Sequence, residues 1–294
     1  MHADMLRRIV RGRVETPGGI AEAAAARLRP TSWLGPTGRL MVIAADHPAR
    51  GSTAAGGEPL AMADRADLLD RLCQALARPE VNGVLGSPDV LEDLLVLGAL
   101  EGKVVIGSMN RGGLAGSAFE MDDRFTGCSA ASLAAAGFQG GKMLTRIDPD
   151  DVLTARTLQA SARAVTELAG HQLMAMVEPF ICHRVDGRVR NDLSTEAVIR
   201  SIGVAAGLGT TSAYTWLKLP LVDDVDDMAR VLSASTLPAV ILGGEVPEDA
   251  DSTYAAWERV LRLPTVQGLA VGRSLLFPRD GDVEKALDIA VGML

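Results

Sequence analysis

The sequence predicts an α/β fold, a (β/α)8 TIM barrel in which eight parallel strands alternate with helices. Eight short apolar runs alternate with segments of helical periodicity. The chain has 294 residues, and such barrels take about 250 residues plus additions. The alternative, an open doubly wound sheet, carries a glycine-rich turn after its first strand, whereas the first run here leads into Asp46, His47 and Pro48.

The apolar runs are the expected barrel strands, and they recur at spacings of roughly 20 to 40 residues. Amphipathic segments of helical period lie between them. The expected strands are 40–46, 81–87, 103–109, 141–147, 172–178, 214–219, 239–245 and 266–272. The expected helices are 63–77, 151–169, 194–206, 224–233, 254–261 and 283–293.

We assign residues 1–294 to one domain. Residues 1–38 are predicted to form an N-terminal helical extension, with a helix at 20–28, and residues 39–294 to form the barrel. The predicted helix 151–169 begins with acidic residues, and the predicted helix 194–206 begins with Ser-Thr-Glu. Both starts are typical of helix N-termini.

Composition argues against several classes of protein. The net charge of -8 lacks the basic excess of a nucleic-acid surface. No apolar run approaches the roughly 20 residues of a membrane helix, and no secretory signal is expected at the N-terminus. Cys73, Cys128 and Cys182 are odd in number and lack metal-ligand spacing, which indicates buried thiols in a reducing cytoplasm. We expect a cytoplasmic homo-oligomer.

Lysine is rare in this chain, which has 25 Arg but only 4 Lys, at positions 103, 142, 218 and 285. The imbalance has the character of compositional drift. Because only an amine, and not a guanidinium, can readily lose its proton and act as a nucleophile, each remaining lysine is a candidate for a chemical role.

Charged side chains fall near the carboxyl ends of the expected strands, where barrel enzymes place their catalytic groups. Asp46 ends the first strand and Glu178 the fifth, while Lys142 and Arg146 share one face of the fourth. Lys218 lies in the sixth strand, in phase with apolar positions that face the interior. Lys218 has two readings. It is either a structural lysine, held inside by a salt bridge or reaching out to solvent, or, beside Lys142 and two carboxylates, a nucleophile for Schiff-base chemistry on a carbonyl.

Glycines mark the loops after the seventh and eighth strands. Gly243 and Gly244 follow one strand, and Gly272 and Arg273 follow the other. This region of the fold often binds phosphate, so we expect an anionic, sugar-like ketone or aldehyde. The alternative is that the glycines only make tight turns. His47 is either an acid–base or substrate contact or an ordinary loop histidine.

The remaining candidates carry less information. His171 and His183 lack ligand spacing, so neither a metal nor another cofactor is expected. The segment 109–128 is a long loop after the third strand. It is either a substrate loop or lid, or else a surface loop or a contact with another copy of the chain.

Six blocks carry a resemblance to a known family. They are VIAADH, GGKMLTRIDPDD, MAMVEPF, WLKLPL, VILGGE and LAVGRSLLF. In this order they resemble class I (Schiff-base) aldolases of the deoxyribose-phosphate and tagatose-bisphosphate aldolase group. From residue 141 onward the similarity is to tagatose-bisphosphate and sulfofructose-phosphate aldolases. The pair His47-Pro48 and the segment GSMNRGGL depart from that pattern.

The resemblance implies a role for each matching position. Lys218 would form the Schiff base, with Lys142 and Glu178 around it and Asp46 opposite. The glycines and the arginine after the last two strands would bind phosphate or an equivalent anion. The pattern is also similar to an actinobacterial barrel protein associated with inositol breakdown. That similarity implies cleavage of 5-dehydro-2-deoxyphosphogluconate to dihydroxyacetone phosphate and malonic semialdehyde.

Two alternatives to an aldolase remain open at the level of sequence. One is a phosphosugar isomerase or epimerase on the same barrel, in which Lys218 is an electrostatic group. The other is a non-catalytic binding module that keeps an inherited site. Replacing Lys218 by arginine separates the first alternative from an aldolase, and binding of sugar phosphates separates the second.

Overall fold

Eight parallel strands close into a barrel, which confirms the predicted fold. The computed structural model describes residues 2–222 and 224–294. In chain order the strands are β1 Leu40–Ala45, β2 Gly83–Gly86, β3 Val104–Ser108, β4 Gly140–Ile147, β5 Met174–Val185, β6 Arg188–Asn191, β7 Thr215–Leu219, β8 Ala239–Leu242 and β9 Val266–Val271. Every one except β6 belongs to the barrel, and the pairings of β1 with β9 and of β4 with β5 complete the ring.

Helices cover the outside of the barrel. They are α1 His2–Glu15, α2 Gly19–Ala26, α3 Arg65–Leu76, α4 Pro88–Leu97, α5 Ala130–Ala135, α6 Leu153–Gly170, α7 Thr195–Ala206, α8 Met228–Leu232, α9 Ala250–Leu261, α10 Arg273–Leu276 and α11 Val283–Gly292. The single helix expected at 224–233 is instead a 3-10 turn, Val225–Asp227, followed by α8. Among the described residues, no helix is both long enough and apolar enough to cross a membrane.

Side chains alternate between two cores, as a closed sheet requires. Met41 and Ile43 of β1 pack outward against the helices. Val42 and Ala44 point inward, where they meet residues such as Met176 of β5. The polar residues that follow on the same face of a strand, such as Asp46 after Ala44, also point inward. This confirms the predicted orientation of those positions.

The N-terminal segment closes one end of the barrel. Helices α1 and α2 pack on α3 and α4. Trp33 lies under the barrel, with its ring 6.0 Å from Trp216 and 6.5 Å from Tyr214. Buried Arg27 donates to the carbonyl oxygens of Lys103 and Gly137, both at 2.9 Å. The assignment of the whole chain to one domain stays a prediction.

The fifth strand corrects the sequence analysis, because it does not end at Glu178. It continues to Val185 and turns back through Asp186 and Gly187 into β6. Both turn residues have positive φ, 50° and 77°, the conformation of a tight hairpin turn that Asp-Gly favours. The hairpin brings Asn191 to the open end of the barrel.

Candidate active site

A cavity of about 330 Å³ opens at the carboxyl ends of the barrel strands. We call it the mouth cavity. Its wall includes all ten residues that the sequence assigned to catalysis or substrate binding, namely Asp46, His47, Lys142, Arg146, Glu178, Lys218, Gly243, Gly244, Gly272 and Arg273. The structure therefore brings the whole set together at the end of the fold that carries active sites. The chemical role of each residue stays a prediction.

Lys218 points from β7 toward Glu178 on the neighbouring strand. Val177 pairs with Leu217, so the next residue on each strand lies at the same level. Lys218 Nζ donates a hydrogen bond to Glu178 Oε1 at 2.5 Å, and only 4% of Lys218 is exposed. Because a buried ammonium is costly unless it is paired, Glu178 makes this lysine compatible with the barrel interior.

Lys142, on β4, is the second buried amine at the mouth. Its Nζ contacts Glu178 Oε2 and lies 3.4 Å from Asp46 Oδ2. Burial lowers the pKa of Lys142 well below 10.5. The positive charges of Arg111 and Lys218 lower this pKa further, whereas the negative charge of Glu178 raises it. Burial alone would raise the pKa of Glu178, but the two lysines outweigh it and hold that pKa well below 4.5. Glu178 is therefore an ionised bridge between two amines.

Asp46 is fixed by a polar network that reaches across β3. Its Oδ2 accepts a hydrogen bond from Ser108 Oγ at 3.0 Å and contacts the guanidinium of Arg111. Arg111 Nε donates to the same serine hydroxyl at 2.7 Å. Burial lowers the pKa of Arg111 to about 10, which leaves it charged at neutral pH. One carboxylate oxygen of Asp46 is thus engaged by Ser108, Arg111 and Lys142.

His47 lies beside this network, at the start of the 3-10 turn Pro48–Arg50. Its Nδ1 is 3.9 Å from Asp46 Oδ1, whereas Ser108 donates its hydrogen bond to Oδ2. Burial lowers the pKa of His47 well below 6.5, and the positive charges of Arg273, Lys218 and Lys142 lower it further. The imidazole is therefore neutral at neutral pH.

The loops after β8 and β9 form the side of the cavity proposed for an anion. Arg273 begins α10, and its Nη1 donates to Glu245 Oε1 at 2.8 Å while Nη2 donates to the carbonyl of Gly244 at 3.3 Å. The side chain of Glu245 is 81% exposed, so a bound anion can replace it as the partner of Arg273. A Cβ on Gly272 would overlap the carbonyl oxygen of Ala44, which explains why glycine occupies this position.

The 109–128 loop packs into the mouth of the barrel and is tied there by buried ion pairs. Glu120 accepts a hydrogen bond from Arg146 at 2.6 Å, and Asp123 pairs with Arg50. Arg50 Nη1 also donates to the carbonyl of Gly113 at 2.7 Å. Arg146 therefore lines the cavity with its charge already balanced by the loop. Both interpretations of the loop stay predictions.

Comparison with known proteins identifies the family. The family model described as Cgl0159-like matches residues 38–291. The chain belongs to the Cgl0159-like family. The crystal structure of Cgl0159 from Corynebacterium glutamicum (Brevibacterium flavum) has a TM-score of 0.94 and 49% identity, with 99% of this chain and 96% of that chain covered. A search of the curated proteins returned no match.

More distant solved structures share the fold of the Cgl0159-like chain. A Schiff-base-forming fructose-1,6-bisphosphate aldolase has a TM-score of 0.64 at 18% identity, with 94% of this chain and 100% of that chain covered. An archaeal fructose-1,6-bisphosphate aldolase, whose catalytic lysine is bound to a carbinolamine intermediate, has a TM-score of 0.62 at 16% identity, with coverage of 93% and 97%. At these identities the likeness shows the barrel fold.

Sequence reasoning missed several residues of the mouth cavity in this Cgl0159-like chain. Arg50, Phe180 and Asn191 lie in its wall without having been predicted, and Arg111 lies there as part of the 109–128 loop, which was predicted only as a whole segment. The arginines come from loops, where no periodicity indicates which way a side chain points. The Asp-Gly dipeptide at 186 and 187 did signal a hairpin, and with it Asn191. Within residues 2–222 and 224–294, no cluster of three or more His, Cys, Asp or Glu side chains is arranged for a metal.

Proposed function

We propose that the chain is a class I aldolase, which makes or breaks a carbon–carbon bond in an anionic, sugar-like ketone through a Schiff base on Lys218. The observation that carries the proposal is the pair of buried amines, Lys218 and Lys142, on the two oxygens of Glu178. A lysine at the wall of a cavity, beside a second cation, has the surroundings of an amine nucleophile.

The first steps join substrate to enzyme. The free amine of Lys218 attacks the substrate carbonyl and gives a carbinolamine, which loses water to form an iminium. Loss of water needs a proton on the departing hydroxyl. Lys142 can supply it, because a lowered pKa makes its ammonium a better acid. Glu178, ionised beside both amines, stabilises the positive charge of the iminium.

The iminium is an electron sink, and this makes cleavage possible. The carbon–carbon bond beta to the iminium breaks once a base removes the proton of the distal hydroxyl, and its electron pair moves into the enamine. Asp46 is the proposed partner for substrate hydroxyls or proton transfer, through Oδ1, because Oδ2 already has three donors and Oδ1 lies 3.9 Å from His47 Nδ1, too far for a hydrogen bond. Hydrolysis of the product iminium then regenerates Lys218.

The substrate is proposed to carry its anion at Arg273 and the glycines at 243, 244 and 272. The resemblance noted for the sequence makes 5-dehydro-2-deoxyphosphogluconate, a ketone phosphate of this class, the first substrate to test. Small anionic molecules, rather than nucleic acids or membranes, are the expected partners. Cytoplasmic location and homo-oligomeric assembly belong to the same proposal, and light scattering tests the assembly.

Borohydride trapping tests the covalent step. The protein is incubated with dihydroxyacetone phosphate, fructose 1,6-bisphosphate or 5-dehydro-2-deoxyphosphogluconate, reduced and mapped by mass spectrometry. We expect a ketone-derived mass on Lys218 and none on Lys103 or Lys285, which lie outside the mouth cavity. With only 4 Lys in the chain, the assignment is unambiguous. Failure to trap an adduct with any of these compounds contradicts the proposal, and interconversion of sugar phosphates without an adduct favours an isomerase.

A further inference from the structure

Cleavage of the carbon–carbon bond needs a proton acceptor, and the mouth cavity offers few. Glu178 has one amine on each carboxylate oxygen and a depressed pKa, which makes it a poor base. Asp46 has three donors on Oδ2. Glu245 pairs with Arg273 at the solvent edge. Each of these three carboxylates already balances a positive charge, so none of them is well suited to accept a proton.

Lys142 also lines the cavity, but it is already assigned to the loss of water, and among the described residues no tyrosine or cysteine lies in the wall. The chain has two tyrosines. Tyr214 packs on Trp33 at the closed end of the barrel, and Tyr254 packs on Trp257 of α9. None of the three cysteines lines the mouth cavity. His47 is the one histidine in its described wall.

The position of His47 is well defined. Its carbonyl accepts hydrogen bonds from Arg50 N at 3.0 Å and Ser52 N at 3.3 Å, which anchors the backbone of the turn. The ring lies against the loop after β9, where a Cβ on Gly272 would come within 3.4 Å of His47 Cε1. Its Nδ1 is buried and makes no hydrogen bond to the described residues, and the nearest acidic atom is Asp46 Oδ1 at 3.9 Å.

We propose that His47 is the general base and acid of the carbon–carbon bond step, with Asp46 as the group that stabilises its protonated form. The assignment rests on the proposed function. It makes His47 a catalytic residue and Asp46 a positioning residue for this step. When Nδ1 carries the proton toward Asp46, Nε2 is the proton acceptor.

His47 takes the proton of the substrate hydroxyl beta to the iminium as the carbon–carbon bond breaks. The bond's electron pair forms the enamine, and the hydroxyl carbon leaves as an aldehyde. The imidazolium then returns its proton to the enamine carbon, which gives the iminium of the ketone product and neutral His47. Water finally releases the ketone from Lys218, and no oxidant or reductant is needed.

The charges around His47 suit this cycle. Arg273, Lys218 and Lys142 favour the neutral ring before the reaction, while Asp46 and Glu178 are the acidic groups that face it. When Lys218 becomes part of a neutral enamine, the cavity loses one positive charge as His47 gains one. The net charge near the ring is therefore conserved through the step, so little electrostatic energy opposes the transfer.

Proton exchange into dihydroxyacetone phosphate isolates the step. In D2O, an enzyme that forms the iminium and then the enamine of this ketone exchanges one of its carbon-bound hydrogens, and NMR measures the rate. Borohydride measures the iminium separately. We expect His47→Asn and His47→Gln to keep the Lys218 adduct and to lose exchange by about 10²-fold or more.

His183→Asn is the matched control. His183 Nε2 lies 3.9 Å from Asp192 Oδ2, a spacing like that of His47 and Asp46, but its side chain is half exposed on the hairpin. We expect wild-type exchange in this variant. We also expect the wild-type exchange rate to fall in acid along a limb below pH 6.5, as the ring becomes protonated, and this limb to be missing from His47→Asn.

The outcomes separate the two proposals. An adduct in His47→Asn with exchange within about threefold of wild type overturns the role of His47 and leaves the Schiff base intact. Absence of an adduct in the wild-type protein overturns the proposed function and the assignment with it. The adduct formed by the variants also shows that they are folded, so a loss of exchange cannot be attributed to misfolding.

Discussion

Each end of the barrel holds the amine of a lysine by hydrogen bonds, but the acceptors differ. At the closed end, Lys103 Nζ donates to two backbone carbonyls, of Val81 at 2.7 Å and of Arg78 at 3.0 Å. At the open end, Lys218 donates to a carboxylate that a second lysine shares. Carbonyl oxygens have no proton to exchange, whereas the Glu178 bridge joins three titratable groups. One arrangement suits a structural contact, and the other suits proton transfer.

The side chains at the two ends of the barrel also differ in character. Aromatic rings close the lower end, where Trp33 meets Tyr214 and Trp216. The upper end has buried charges around a cavity. In this fold, the lower end generally serves stability and the upper end serves catalysis. Substitutions at the two ends should therefore have effects that separate cleanly.

The largest effect is expected from Lys218→Arg. Arginine keeps the positive charge beside Glu178 but cannot form an imine. We expect loss of the borohydride adduct and a fall in cleavage rate of about 10³-fold or more. Lys103→Arg, at the other end, serves as the control and should keep both. Cleavage by Lys218→Arg at a wild-type rate would rule out the Schiff base.

Glu178→Gln should have the next largest effect. It leaves two buried amines without their shared counter-charge, so we expect a loss of about 3 kcal/mol in the free energy of unfolding at pH 7. The folded-state pKa of Glu178 lies below the ordinary 4.5, so its stabilisation is complete above pH 4.5 and is lost as pH falls toward the folded-state value. Urea unfolding should therefore show the difference between wild type and variant shrinking in acid. A difference that stays constant from pH 7 to pH 3 would contradict the charge bridge.

Trp33→Ala tests the closed end. The ring is partly buried, so the expected loss is about 2–3 kcal/mol, below that of a fully buried tryptophan. Trapping on Lys218 should be unchanged, because the substitution lies under the barrel. Trp33→Phe, which keeps an aromatic ring, should lose less of the free energy of unfolding. If Trp33→Ala abolished the adduct without loss of stability, the two ends would not be independent.

Lys103→Met is expected to have the smallest effect. It removes two hydrogen bonds from a partly exposed ammonium, so we expect a loss of about 1 kcal/mol. The adduct on Lys218 should form at the wild-type level. A loss of adduct comparable to that of Lys218→Arg would mean that the lower lysine has a chemical role.

The barrel could be predicted because a parallel strand leaves a strong local signal. The alternation of Val42 and Ala44 with outward residues carries directly into Asp46. The same phase places Lys218 inside. Both features depend on residues two positions apart in one strand, and that spacing can be read directly from the sequence.

The rest of the cavity depends on contacts between distant segments. Arg50 meets Asp123, and Arg146 meets Glu120, across loops that have no repeating pattern. Neither partner is identifiable until the chain is folded. The hairpin after Glu178 is a different case. Its Asp-Gly turn is visible in the sequence, but the two strands pair over only four residues each, which is too short to show a strand pattern.

The aromatic closure under the barrel and the proposed bond to Lys218 together bear on how substrate and products enter and leave the site. With Trp33 and Leu34 packed into the lower end, the mouth serves as both entrance and exit. For the proposed cleavage, the aldehyde is free while the ketone remains bonded to Lys218, so the aldehyde leaves first and the ketone last. Steady-state kinetics should then show ordered release, with the ketone product competing directly with substrate for the free enzyme.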